Sequence, residues 1–277
     1  MKVQANAKVN LALDVVERMD NGYHSLDMIM APISLSDEIE IEKSDADEVL
    51  CSEMKLPEKN TISKMIRVLK DTYHLDTCYK VILHKNIPSQ AGLGGGSADA
   101  ASVCKAILEM EGIQESEEKL YEITKQVGAD VPFCMHNHWA RVKGIGEKIT
   151  PIDSDWQFDI VLVKPEFGIS TGNAFLKWKE SRPFHPDVDL VESSIREKNM
   201  DLLYQTMANA LEPVAFEIEP ELNQVKMDME DAGLVRILMS GSGSSMLGFS
   251  VDEDVIERAY KMLKEKYSFV QIVHVGG

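Results

Sequence analysis

Residues 88–101 read PSQAGLGGGSADAA, with glycine at 92, 94, 95 and 96. A strand-like segment precedes this run and an apolar-striped segment follows it. Glycines let backbone N–H groups approach a ligand with no side chain in the way. Ser97 and the small residues after it then open a helix, whose first N–H groups and macrodipole favour an anion, most commonly phosphate. A flexible turn between strand and helix needs only one or two glycines. The run is neither of the two common nucleotide fingerprints. A Walker loop requires Lys and then Ser/Thr after its last glycine, where this chain has Ser97 and Ala98, and the dinucleotide pattern begun at Gly92 requires glycine where Ser97 stands.

The chain has 277 residues, 44% of them hydrophobic and 27% charged, which suits one large or two ordinary globular domains. No apolar run approaches the length of a membrane span. The N-terminal stretch reads as a strand rather than a signal peptide, because Asn10 and Asp14 interrupt it. A cytoplasmic location is therefore expected. The net charge of −17 argues against general nucleic-acid binding. It also requires any phosphate site to be locally basic or built from backbone. Cys51, Cys78, Cys104 and Cys134 form no CxxC pair and are expected to be reduced, buried thiols. Cys134, His136 and His138 would share a face if extended. With no fourth ligand in view, a structural role is favoured over a metal site.

Hydrophobic periodicity predicts strands over 2–16, 27–42 and 79–84, joined early on by a turn at Asn21-Gly22. Helices are expected over 61–74, with Asn60 as N-cap, and over 98–111 and 116–127. Strands return between 141 and 163. Helices follow over 172–180, 187–197, 199–211 and 219–232. Strands flank a second small-residue loop, Ser240–Ser245, and a helix over 252–266 and a strand over 268–274 close the chain. Helices and strands mix without strict alternation, so the class is α+β. A boundary near Pro151–Trp156 divides domains 1–153 and 154–277.

Within the first strand Lys8 and Asn10 share a face. The burial habits of lysine favour an exposed edge strand there; lining a site is the alternative. Asp130, in Gly128-Ala129-Asp130-Val131-Pro132, is either a helix N-cap or a carboxylate near the phosphate loop. Tyr23 and His24 leave the early turn as a sheet-packing pair or as a platform for a base. The 240–245 loop is a tight hairpin or a second cover for phosphate.

Taken together, AKVNLAL, NGYHSL, PSQAGLGGGSADAA, GADVPF and MSGSGSS resemble the GHMP kinase superfamily, from residue 5 to about 250. Within it they are similar to the branch acting on 4-diphosphocytidyl-2-C-methyl-D-erythritol. The resemblance implies a domain like ribosomal protein S5 domain 2 followed by a ferredoxin-like one. It implies ATP on Pro88, Gly92, Leu93, Gly94, Gly95, Gly96 and Ser97, with Asn60 near the adenine and Gly241, Ser242 and Gly243 closing over the phosphates. Asp130 is then the base and Lys8 its cationic neighbour, and Asn10 orients the hydroxyl. Tyr23 and Phe175 sandwich the cytosine, His24 reads its edge and Thr171 adjoins it. Mg²⁺ is implied, with Ser97 as the ligand that can be named. Two departures stand out: Met135–Trp139, where many relatives have a glycine pair, and Ser244-Ser245 in the third motif. Kinases of homoserine or mevalonate type, and a silent ligand sensor on the same fold, are the competing readings.

Overall fold

The computed structural model describes residues 1–20, 22–53, 56–178 and 184–276. Asn21 of the expected early turn, and residues 179 and 180 of the helix expected over 172–180, lie outside them. The chain divides into two compact units. The first comprises Met1–Ala7, Leu35–Ile87 and Gly94–Asn137; the second comprises Lys8–Ser34, Pro88–Leu93 and His138–Gly277. Strand β1 (Lys2–Arg18) and strand β2 (His24–Ser44) each run through both.

In the first unit the centre is β4 (Cys78–His84). It pairs antiparallel with Glu38–Ser44 of β2 and parallel with β3 (Glu48–Cys51). Its alternation is that of a half-buried strand, with Tyr79, Val81 and Leu83 inward. Helix α1 (Thr61–Tyr73) buries Ile62, Met65, Ile66 and Leu69 on one stripe. Its start is fixed by a capping box, in which Asn60 Oδ1 accepts from Ser63 N–H at 2.9 Å and Ser63 Oγ accepts from Asn60 N–H at 3.1 Å. Helix α2 (Gly95–Glu111) packs against α1 and against α4 (Val131–His136). Its alanines at 98, 100, 101 and 106 are buried. Helix α3 (Glu117–Thr124) stops three residues short of the expected end. Helix α2 begins three residues earlier than expected, because Gly94 at φ +69° serves as its N-cap.

In the second unit the N-terminal part of β2 pairs with β5 (Ala140–Gly144), which pairs in turn with β6 (Lys148–Pro151). Strand β7 (Phe158–Lys164) has Ile160–Val163 buried without alternation, the mark of a strand covered on both faces. Around it lie α5 (Thr171–Lys177), α6 (Val188–Glu197), α7 (Met200–Thr206), β8 (Ala208–Asn209), α8 (Glu212–Ile218), α9 (Leu222–Asp231), β9 (Arg236–Met239), β10 (Met246–Phe249), α10 (Glu253–Lys264) and β11 (Phe269–Val275). Strand β7 lies between antiparallel β10 and β11, and β9 pairs with β10. The helices expected over 199–211 and 219–232 are present in shortened form as α7 and α9, and α8 is a further helix in the stretch between them. Pro213 sits in the first turn of α8, where its missing N–H costs nothing, and Pro220 follows its end.

The short β8 has a packing role. It pairs parallel with β1 at Ala12 and Leu13. Asn209 Nδ2 donates to the carbonyls of Met239 (2.8 Å) and Gly241 (2.7 Å), and its Oδ1 accepts from Leu211 N–H (2.9 Å). Asn209→Ala orphans three buried backbone groups. We expect it to lower the unfolding free energy by about 2–4 kcal/mol in urea titrations with an unchanged slope. A loss below about 1 kcal/mol would show that these bonds are replaceable.

Candidate active site

Within the second unit, residues 88–93 lie against the 240–245 loop through backbone. Ser244 N–H donates to Gln90 O at 3.3 Å and Ser245 N–H to Ala91 O at 3.2 Å. Ser240 Oγ donates to Gly92 O at 3.2 Å and accepts from Asn10 N–H at 3.4 Å. Lys8 N–H donates to Leu93 O at 3.0 Å. A Cβ on Gly92, whose φ is +73°, would lie 2.0 Å from Ser240 O; one on Gly241, φ +56°, would lie 2.9 Å from Gly92 O. Both positions therefore require glycine for approach and for conformation. Gly243 is likewise confined, its Cβ position lying 2.7 Å from Met239 Sδ. Ser242 Oγ and Thr171 Oγ1 are hydrogen-bonded at 2.9 Å. Ser244 Oγ donates to Phe167 O at 2.6 Å. That carbonyl also accepts from the buried Lys164 Nζ at 2.8 Å, and burial draws the Lys164 amine below its usual pKa.

Lys8 and Asn10 are 5% and 1% exposed, which overturns the edge-strand expectation. Lys8 Nζ donates to Asn10 Oδ1 at 2.8 Å, and Asn10 Nδ2 contacts Met28 Sδ at 3.3 Å. The ammonium lies 3.4 Å from the Cβ position of Gly241. The bond to Asn10 fixes the direction in which the Lys8 side chain points. Asp14, on the same face of β1, is also buried and pairs with His185 Nδ1 at 2.8 Å.

The first unit carries the remainder of the glycine run. Gly94, Gly95 and Gly96 turn directly into α2, and Ser97 N–H closes the turn on Gly94 O at 2.9 Å. Gly96 has Thr61 Oγ1 at 3.3 Å from its Cβ position, and Gly95 has Ile87 Cγ2 at 3.0 Å and Lys85 Nζ at 3.2 Å. Larger residues would fill the cradle. Ser97 Oγ lies 3.8 Å from the Cβ position of Gly128, so the Ser97 hydroxyl and the Gly128–Asp130 turn are neighbours. Asp130 occupies the N-cap position of α4, yet its side chain makes no capping bond. Pro88 is half-buried at the start of the run and Leu93 is buried. Asn60, besides capping α1, borders a cavity of about 440 Å³ with Glu58, Thr61, Ser63, Lys64 and Arg67.

Tyr23 is 61% exposed. The ring stacked on Phe175 is that of His24, with centroids 5.2 Å apart and planes at 23°. Trp178 meets His24 edge-on at 5.5 Å and 85°. Thr171 opens the same helix, α5.

Among the described residues no group of three or more His, Cys, Asp or Glu is placed to hold a metal. Cys134 and His136 lie in α4, where alternate residues diverge, so the extended face shared with His138 does not form. All four cysteines are free thiols; Cys104 and Cys134 are buried, whereas Cys51 and Cys78 are only half-buried. The Ser97 hydroxyl is a hard oxygen donor of the kind Mg²⁺ accepts alongside phosphate oxygens and water.

Comparison with known proteins decides the family. The GHMP kinases N terminal domain matches residues 60–138, and the GHMP kinases C terminal domain matches 191–268. The chain is 38% identical to the 4-diphosphocytidyl-2-C-methyl-D-erythritol kinase of Clostridium beijerinckii over 98% of this chain and 99% of the relative, and 36% identical to that of Clostridium tetani over the same shares. This chain belongs to that family of GHMP kinases. A crystal structure of 4-(cytidine 5'-diphospho)-2C-methyl-D-erythritol kinase superposes with a TM-score of 0.85 over the whole of both chains at 28% identity. A homoserine kinase from Cytophaga hutchinsonii shares the fold, with a TM-score of 0.74 at 19% identity over 99% of this chain and 95% of that one. The α+β class and the two-domain GHMP kinase fold are thereby established, as is ATP-dependent phosphorylation of a small molecule.

Sequence reasoning missed the charged base of the glycine run in this kinase. Lys85 Nζ binds Asp99 Oδ2 at 3.0 Å and also Asp37, and Asp37 Oδ1 accepts from the N–H groups of Asn86 (2.6 Å) and Ile87 (2.8 Å). Burial, with the Asp37 charge adding to it, pushes the Asp99 carboxyl up to about 7 against the pull of Lys85. For Lys85, burial opposes the charge, but the two carboxylates outweigh it and hold its pKa above normal. A Lys three residues ahead of Pro88 and an Asp on α2 were visible, but their partnership depends on β2, far away in sequence. Gly92→Ala is expected to abolish measurable ATP turnover and to lower the urea midpoint, since the new methyl has only backbone to displace. Wild-type turnover in that variant would show that the two loops separate easily.

Proposed function

We propose that this kinase transfers the γ-phosphoryl group of ATP to the 2-hydroxyl of 4-diphosphocytidyl-2-C-methyl-D-erythritol, a step of non-mevalonate isoprenoid precursor synthesis. The observation that carries the substrate assignment is the aromatic pair of the second unit, His24 stacked on Phe175, with the exposed Tyr23 next to His24 in the chain, which suits a flat pyrimidine. Identity with relatives of that name along nearly the whole chain supports it.

The hydroxyl oxygen attacks the γ-phosphorus, its proton passes to the Asp130 carboxylate, and ADP leaves with the bridging oxygen. Lys8, oriented by Asn10, lowers the cost of negative charge on the attacking oxygen and on the phosphoryl oxygens. Backbone N–H groups from Gly92 to Ser97 and the start of α2 receive the phosphates. Gly241, Ser242 and Gly243 cover them, and Asn60 borders the adenine. Thr171 hydrogen-bonds the cytidine part. Mg²⁺, with Ser97 among its ligands, neutralises phosphate charge when bound. Such a reaction needs positioning and charge compensation more than covalent work. We assign nucleotide binding to residues 1–153 and the remaining GHMP kinase domain to 154–277. We place the enzyme in the cytoplasm, where unpaired cysteines persist.

Asp130→Asn is expected to reduce turnover on the order of 10²-fold or more while ATP still binds, as for loss of a general base. Coupled ADP release with the cytidine compound, mevalonate and homoserine in parallel checks both parts. Unchanged turnover in Asp130→Asn would remove the base. Turnover of mevalonate or homoserine without the cytidine compound would replace the substrate, and ligand binding with no turnover at all would point to a sensor.

A further inference from the structure

Helix α5 carries one functional ring more than the sequence reading used. Thr171, Phe175 and Trp178 follow one another at spacings of four and three, so they lie along one stripe. Trp178 ends the helix, its N–H bonded to Ala174 O at 3.0 Å, and its ring is 9% exposed. Thr171 and Tyr23 are exposed and His24 and Phe175 half-buried, whereas Trp178 is buried.

His24 is the first residue of β2, at the exit of a turn, a place where an imidazole ordinarily samples several rotamers. Here two rings confine it. Phe175 covers one face at 5.2 Å, and Trp178 stands nearly perpendicular at 5.5 Å. Stacked and edge-on contacts together fix both the plane of the imidazole and its rotation. Aromatic pairs in these geometries contribute beyond the area they bury.

Orientation matters because of the chemistry of the pyrimidine edge. Cytosine presents an amino donor beside a ring-nitrogen acceptor, whereas uracil presents a carbonyl acceptor beside an N–H donor. A ring held in one orientation presents the same nitrogen to that edge, and the bond made by its other nitrogen places the proton; a ring free to turn over can match either pattern. We infer that Trp178 is a positioning residue for base selection: by locking the His24 ring it makes the site prefer a cytidine diphosphate over a uridine diphosphate. The inference rests on the cytidine reading of the site.

The test uses CDP and UDP as probes in isothermal titration against the whole enzyme and its Trp178→Ala, Trp178→Phe, His24→Ala and doubly substituted His24→Ala/Trp178→Ala forms. The wild type is expected to favour CDP. Trp178→Ala should weaken CDP about tenfold and bring the CDP-to-UDP ratio near unity, while Trp178→Phe, which keeps an edge-on ring, restores most of the preference. In turnover the KM for the cytidine substrate should rise more than kcat falls, with the KM for ATP held. Adding His24→Ala to Trp178→Ala should cost little further, because the two act as one unit. Additive losses, or an unchanged CDP-to-UDP ratio in both Trp178 variants, would overturn the inference while leaving cytidine binding intact. A wild-type enzyme that binds neither probe would overturn the cytidine reading and the inference with it. Should Trp178→Ala fail to fold, Trp178→Leu, which fills the space without a ring, takes its place: a CDP-to-UDP ratio near unity supports the assignment, and a wild-type ratio rejects it.

Discussion

A backbone-on-backbone contact governs the phosphate-handling part of the second unit. Gly92 and the Ser240–Gly243 segment approach so closely that neither side can carry a β-carbon at the point of contact. Such an approach is unfavourable unless polar groups are matched, because buried backbone N–H and C=O groups need partners. Here Ser240 Oγ bridges Gly92 O and Asn10 N–H, Lys8 N–H takes Leu93 O, and Asn209 holds Gly241 O from behind. Four segments distant in sequence are thus fixed by hydrogen bonds to main-chain groups. The arrangement leaves the glycine loop bare of side chains, as an anion receptor requires. It also brings the Lys8 ammonium, oriented by Asn10, to the 240–245 loop.

A chain of net charge −17 that receives a triphosphate has an electrostatic difficulty to resolve. Screening limits the reach of its surface acids to about 8 Å at physiological salt. The local sources then dominate: peptide dipoles at the start of α2, backbone N–H groups and single lysines. Beneath Gly95 the first unit buries one cation between two carboxylates, an arrangement that is costly to assemble and more costly to break. Loss of one member of such a group is worth about 3–5 kcal/mol. Asp37 is the anchor, since it also ties the N–H groups of Asn86 and Ile87. Lys85 is thereby held where the loop turns into the helix. Rigidity at that turn has a chemical purpose, because phosphoryl transfer depends on the alignment of attacking and leaving oxygens.

Local signals were legible in the sequence and long-range ones were not. The glycine run, the cap at Asn60 and the amphipathic stripe of α1 are encoded by neighbours within one or two turns, and each formed where expected. Lys8 was misjudged because the usual exposure of lysine describes an isolated residue, and its burial here follows from Asn10 and the 240–245 loop. Helix α8 was missed because its seven residues, Glu212–Ile218, are too short a span for helical periodicity to show, although Pro213 in its first turn marks a start. The triad at Lys85 joins residues 37, 85 and 99, and no local pattern reports such a meeting. Trp178 was in plain view at helical spacing from Phe175, but which side of the helix faced His24 was fixed only by tertiary structure.

The division of labour between backbone and side chains explains how one fold serves several substrates. Kinases of homoserine and of mevalonate share this architecture at low identity, so the architecture cannot be what selects the substrate. The glycine cradle is built from main-chain groups, which many sequences can supply as long as a few glycines remain. Selection must then come from side chains on elements that can vary without disturbing the cradle. Helix α5 satisfies that condition. It is seven residues long, the Thr171–Ser242 hydroxyl contact joins it to the 240–245 loop, and the rings of Phe175 and Trp178 meet His24. Changing Phe175 or Trp178 alters what flat group can be held while leaving Gly92 against Ser240. Under the proposed assignment, the rings of His24, Phe175 and Trp178 are free to vary with the substrate, while the Gly92–Ser240 contact, where no β-carbon fits, is not.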